Sequence, residues 1–268
     1  HGVRMEAAKA LQAIHSDEAL AELLASRQSD ARVRSQVAAS IGGFFSPNAF
    51  THAAAAISSE KNPDIRAQWI RALGNYSSPE SRQSLVALLG SESYRNTLAD
   101  AAISAMRTQD DPFFIQPLQQ TLQQGESRFT TRGFASGLDA LAYIARNEKE
   151  KDSVREFLTR KVNHKKKGIQ LAAIAALGTL EDPKGRAVLA TFASASRESD
   201  ERKVAEKALV AIRTADNPSN NLKALRDEIL DLKKDSRETK KDLEALRKKI
   251  ETKPEKTPVK TVRSPRAR

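Results

Sequence analysis

The chain has no cysteine, a single tryptophan and four histidines in 268 residues. The missing thiols exclude disulfides, thiolate metal sites and a cysteine nucleophile, and they leave the compartment open. No run approaches the roughly 18 apolar residues that a membrane helix needs, so no membrane partner is expected. The histidines stand at positions 1, 15, 52 and 164, and none forms the H-E-x-x-H pair that sets two imidazoles on one helical face for zinc. A G-x-S-x-G elbow, a Gly-rich loop ending in Lys-Ser/Thr and a dinucleotide fingerprint are also missing. No catalytic residue, metal ligand or cofactor is therefore expected in this chain.

What is present in excess is positive charge, at a net +11, but it is unevenly spread. Residues 1–220 carry 29 basic and 25 acidic side chains, whereas residues 252–268 carry six and one. Nearly half the excess sits in the last seventeen residues, so the body of the chain does not read as a groove built for a phosphate backbone.

The main signal is repetition. The outline of "GVRMEAAKAL" returns as "RVRSQVAASIGG", "DIRAQWIRALGN" and "GIQLAAIAALGT". With the first apolar residue as i, offsets i+4, i+7, i+8 and i+11 are apolar or small, which describes one buried helical face. The first copy gives Val3, Ala7, Ala10, Leu11 and Ile14, and the third gives Ile65, Trp69, Ala72, Leu73 and Tyr76. Further copies are predicted to start at Val33, Tyr94, Ile169 and Val204, and one near residues 133–144 fits two neighbouring registers. Second amphipathic segments such as "DEALAELLAS", "SRQSLVALLG" and "GRAVLATFAS" lie between them. Up to residue 220 six prolines follow Ser, Asn or Asp, as in Ser46-Pro47, Asn62-Pro63 and Asn217-Pro218, a helix-start signature because proline's missing N–H is not needed there. Pro117 breaks this rule and should kink its helix or mark a later start.

Paired helices at this spacing predict an all-α solenoid of about seven helical repeats over residues 1–216, the first incomplete. Gly42, Gly74 and Gly178 share the i+9 place and are expected at close contacts or helix ends. The chain opens at His1 inside a helical pattern, so an upstream portion is expected, with Val3, Ala7 and Ala10 as apolar surface it would cover. The pattern resembles the HEAT repeat: Asp30-Ala-Arg-Val33-Arg34, Asp64-Ile65-Arg66 and Val3-Arg4 carry its turn and arginine, while Gln170 and Ala205 depart from it. That resemblance implies fold and leaves function open.

A narrower resemblance lies in "HGVRMEAAKAL", "SRFTTRGFASGLDALAYIA" and a last repeat that runs into a charged heptad helix. These look like the non-catalytic C-terminal HEAT region of bacterial zinc aminopeptidases of the aminopeptidase N family. The resemblance implies an upstream catalytic domain as partner; no residue of its zinc motif occurs here. A basic cluster, "RKVNHKKKG", gathers Arg160, Lys161, Lys165, Lys166 and Lys167 at a turn, where solvation or phosphate binding are the two readings. Trp69 invites comparison with HEAT-like DNA glycosylases, which hold a damaged base on aromatic side chains, but it occupies the buried i+4 place.

After Asn217-Pro218 the spacing becomes three-four. Leu222, Leu225, Ile229, Leu232, Ser236, Thr239, Leu243, Leu246 and Ile250 fill successive a and d places over residues 217–251, the signature of a coiled-coil helix. The e places are basic (Arg226, Lys233, Lys240, Arg247) and three g places acidic (Glu228, Asp235, Asp242), which predicts a parallel homodimer. Residues 252–268, with three prolines, are expected to be a disordered basic tail able to touch nucleic acid weakly and non-specifically. Three function classes follow: a non-catalytic module of an aminopeptidase, a free-standing protein-binding scaffold, and a nucleic-acid-binding or glycosylase-like array.

Overall fold

The computed structural model describes residues 1–216 and 220–251, with side chains for 1–216, 225–241 and 243. The chain divides into two units, His1–Asn217 and a second that begins at Pro218. Among the described residues there is no strand.

The first unit opens with α1 (Gly2–Ile14), followed by the pairs α2 (Asp17–Ala25) with α3 (Ala31–Ile41) and α4 (Pro47–Ser59) with α5 (Pro63–Ala72). Next come α6 (Pro79–Leu89) with α7 (Thr97–Gln109) and α8 (Ile115–Gln124) with α9 (Thr131–Ala145). The last pairs are α10 (Asp152–Lys161) with α11 (Lys167–Thr179) and α12 (Arg186–Ala193) with α13 (Asp200–Asp216). Each odd-numbered helix packs along the next odd-numbered one, while the even-numbered helices hardly meet one another. The odd row is therefore the tighter, inner side of the solenoid.

The proline boundaries work as their chemistry dictates. Ser46 Oγ accepts the Ala49 N–H at 3.2 Å, Asn62 Oδ1 accepts that of Asp64 at 3.0 Å, and Ser78 Oγ accepts that of Ser81 at 3.1 Å. The Asn217-Pro218 start lies outside the described residues. Pro117 sits in the first turn of α8, where its absent N–H has no intrahelical acceptor, so the later start is what occurs.

Small residues set the spacing of the inner row. A Cβ on Gly42 would stand 2.7 Å from Ala72 Cβ, one on Gly74 2.9 Å from Ala105 Cα, and one on Gly178 2.6 Å from Ala208 Cα. All three glycines thus mark the point where the next inner helix crosses backbone to backbone. The repeat arginines close the turns: Arg34 donates to Ser29 O at 2.6 Å and pairs with Glu60 at 3.1 Å, and Arg66 Nε donates to Ile57 O at 3.0 Å.

Two registers differ from the sequence expectation. Tyr94 is not the first buried residue of its copy; α7 starts at Thr97 and its contact face runs through Leu98, Ala102, Ala105 and Met106. In α13 the buried positions are Ala205, Ala208 and Ile212, whereas Val204 is half-buried and Ala211 exposed. A solvated outer face there carries alanine and valine, and hydropathy alone could not separate it from the inner face. The two registers near residues 133–144 have a common cause: Gly133, Phe134, Gly137, Leu138, Ala140, Leu141, Ala142, Ile144 and Ala145 are all buried, because α9 is covered on several sides.

The second unit is described as a single helix, α14 (Asn220–Glu251), of 32 residues. Its seam residues Leu225, Ile229, Leu232 and Leu243 are between 49% and 61% exposed. The side chains of Leu222, Leu246 and Ile250, and the tail 252–268, lie outside the described residues.

Candidate functional site

On the inner row lies a groove of about 1480 Å³ bounded by α5, α7, α9 and the turn before α7. Its geometry follows from one irregular segment. Arg95 and Asn96 both take left-handed backbone (φ 54° and 58°), so the chain reverses sharply between Ser93 and Thr97. Asparagine tolerates that conformation, and arginine adopts it at a cost of order 1 kcal/mol. Ser93 Oγ accepts the Leu98 N–H at 3.1 Å and Thr97 Oγ1 donates to Tyr94 O at 2.8 Å, which holds the turn. Tyr94 is thereby thrown outward, 82% exposed, at the mouth of the groove.

Asp100 stands on the groove side of α7, one turn into the helix. Its carboxylate lies where a side chain of α9 would be, because a Cβ on Gly133 would fall 2.5 Å from Asp100 Oδ1. Asp100 Oδ1 is buried without a hydrogen-bond partner. Burial pushes the carboxyl up to about 6, and the charge of Arg71 on α5 only partly opposes this. Along the same groove Arg107 pairs with Asp139 at 3.0 Å and lies 4.0 Å from the centroid of the Tyr143 ring. Arg146 covers that ring at 3.6 Å and binds Asp110 in a bidentate manner at 2.7 and 2.9 Å. Arg71, Arg95 and Arg132 are exposed on the groove wall. The sequence reading missed this site. Its one signal was an acidic residue inside the alanine-rich run "LADAAISAM".

The basic cluster is partly neutralised. Lys161 and His164 both meet Glu126, the latter at 2.7 Å, which holds that carboxyl below the usual range, and Lys167 pairs with Glu201. Lys161 also lies 5.5 Å from the Phe134 ring centroid. Arg160, Lys165 and Lys166 point to solvent. Trp69 is only 6% exposed, with the His52 ring 5.6 Å away and tilted by 58°, so it belongs to the core. Burial lowers the His52 pKa. His1 pairs with Asp30 at 2.9 Å, and the His15 and Phe44 rings lie 5.4 Å apart, tilted by 57°. Among the described residues no three His, Asp or Glu side chains converge, and no helix is long and apolar enough to cross a membrane.

A family model described as HEAT repeats matches residues 50–139, the stretch that carries most of the groove wall. The fold is a HEAT-repeat solenoid. The complex of CpcE and CpcF of phycocyanin lyase from Nostoc sp. PCC7120 is similar at 19% identity, over 74% of this chain and 77% of that one, with TM-score 0.49. A designed armadillo repeat protein is similar at 15% identity, over 72% and 98%, with TM-score 0.43. Human deoxyhypusine hydroxylase in complex with glycerol is similar at 16%, over 76% and 88%, with TM-score 0.36. At these values none of them transfers a ligand or an activity to the HEAT solenoid described above. No curated protein matches the chain.

Proposed function

We propose that the chain is a non-catalytic protein-interaction scaffold that works as a parallel homodimer joined through α14. The observation that carries this reading is the exposure of Leu225, Ile229, Leu232 and Leu243 along one 32-residue helix. An apolar stripe at three-four spacing is stable in water when a second helix covers it. Charge selects the orientation. In a parallel, in-register pair Glu228 faces Lys233 of the second copy and Asp235 faces Lys240, while antiparallel pairing sets like charges together. Ser236 and Thr239 interrupt the seam, so association is moderate and reversible. Two copies then present two HEAT surfaces, raising avidity for a divalent partner without new contacts.

Leu243→Cys tests the arrangement cleanly, because the chain has no other cysteine. A parallel dimer sets the two thiols across the seam and crosslinks on oxidation, and Leu232→Glu abolishes the crosslink. A monomer by sedimentation at high concentration overturns the dimer.

A finer reading places the scaffold at the end of an aminopeptidase N-like zinc enzyme, covering a catalytic domain that precedes it. It rests on the three sequence segments above, of which residues 127–145 supply the α9 wall of the groove. An H-E-x-x-H motif in the same open reading frame supports it, and a start codon just before His1 excludes it.

A further inference from the structure

A second cleft, of about 700 Å³, lies between α3, α4 and α5 and shares no lining residue with the inner groove. It lies on another side of α5. Asp64 and Trp69 are five residues apart, roughly 500° of helix, so Trp69 leaves α5 about 140° away from the Asp64 that lines the groove. The cause of the cleft is a missing side chain. Helices α4 and α6 both start on Ser-Pro, and nine places after the proline α6 carries Leu88, packed on the core, where α4 carries only Ala56.

The floor of this space is apolar and its rim is cationic. Val37, Ala56 and Trp69 line the floor, with the His52 ring beside them. Among the described residues neither the Trp69 indole N–H nor either nitrogen of His52 has a hydrogen-bond partner, and none of the three is sealed from solvent. Burial lowers the His52 pKa, so at pH 7 this ring offers a hydrogen bond and no charge. Glu60, the one carboxylate of the lining, is engaged by Arg34 at 3.1 Å, whereas Arg27 and Lys61 are exposed and unpaired. An apolar floor with a few polar groups, in roughly 300–1000 Å³, is the build of a small-molecule site. Two free cations at its mouth repel an ammonium that the aromatic rings would otherwise attract, and they favour an anion. We propose that this cleft binds a small amphipathic anion, its apolar body over Val37, Ala56 and Trp69 and its charged end between Arg27 and Lys61.

The ligand takes the place that Leu88 fills one repeat later, and it touches residues of both the α2–α3 and the α4–α5 pair. It therefore braces two successive repeats and raises the melting temperature of the chain. This site goes beyond the scaffold reading and shares no residue with α14, so its failure leaves the dimer untouched.

Trp69 is the only tryptophan, so its emission reports on this cleft. The test titrates the full chain with octanoate, and with octylammonium as its cationic counterpart, while that emission is followed. Octanoate is expected to change it saturably with a Kd on the order of 1 mM, as suits about ten heavy atoms, and octylammonium to need at least about tenfold more. Arg27→Glu/Lys61→Glu reverses that order. Both rim residues are exposed, so the double variant keeps the fold, which a thermal melt checks. Ala56→Leu, which supplies the side chain that α6 has, loses the response to both amphiphiles. Equal responses to the two, an order unchanged in the double variant, an octanoate response that survives Ala56→Leu, or no saturable response below about 20 mM overturns the site.

Discussion

Helices α5 and α1 carry the same face, and only one of them buries it. In α5 Ile65, Trp69 and Ala72 are sealed between neighbours, whereas in α1 Val3, Ala7, Ala10 and Ile14 are exposed, Val3 at 86%. What α1 does bury is a different stripe, Ala8 with half-buried Met5 and Leu11. The apolar pattern is thus a capacity for contact, and the burial of a solenoid residue belongs to the pair of helices that makes it.

The comparison breaks most visibly by deletion of matter from the sealed face. Ile65→Ala should lose about 2–5 kcal/mol of stability in urea denaturation of the full chain, through lost transfer energy and the cavity left behind. A loss below about 1 kcal/mol would mean that the face collapses freely and that the interior repeats resemble α1 after all.

Addition of a methyl at the crossing points is the next test. Gly178→Ala should cost about 1–3 kcal/mol, because the new Cβ would stand 2.6 Å from Ala208 Cα and backbone must move. Gly90→Ala meets nothing nearer than 3.6 Å and should be within about 0.5 kcal/mol of neutral. Equal costs at the two sites would show that helix spacing is not what Gly178 supplies.

Asp100 sharpens the comparison in the opposite direction, since here a buried position should be improved by substitution. Its folded-state pKa of about 6 lies above the ordinary 3.8, so folding favours the protonated form. Stability associated with this group is therefore greatest below about pH 4 and declines as pH rises through 6. Asp100→Asn should gain about 1–2 kcal/mol at pH 7, allowing for solvent screening of a half-buried group, and nothing near pH 3.5. A loss of stability at pH 7 would mean that the carboxylate has a partner in solution.

The smallest effect is expected at the exposed edge. Val3→Ala should change stability by less than about 0.5 kcal/mol, and hydrogen exchange should open residues 2–14 well before residues 169–180. Equal protection of the two segments would show that α1 is covered in solution.

Much of the architecture was legible because its causes are local. The Ser-Pro and Asn-Pro boundaries, the i+9 glycines and the four-three apolar spacing each act within one or two turns, so sequence order is enough to read them. The errors at Tyr94 and Val204 have a different origin. At Tyr94 the apolar spacing extends one turn upstream into residues whose left-handed backbone turns the side chain out. At Val204 two helix faces are both apolar, and only the position of α11 decides which is inside.

The sequence by itself determined the all-α repeat, the capped proline starts of α4, α5 and α6, and the heptad stripe of α14, since each depends on periodicity and capping chemistry along the chain. Tertiary structure alone decided which copy of the common face is sealed and that Asp100 stands unpartnered opposite Gly133. It also decided that two of the five residues of the basic cluster, Lys161 and Lys167, are neutralised by Glu126 and Glu201. These are facts about residues some 30 or more positions apart brought together by the stacking of repeats, and no pattern along one helix encodes what the next helix places against it.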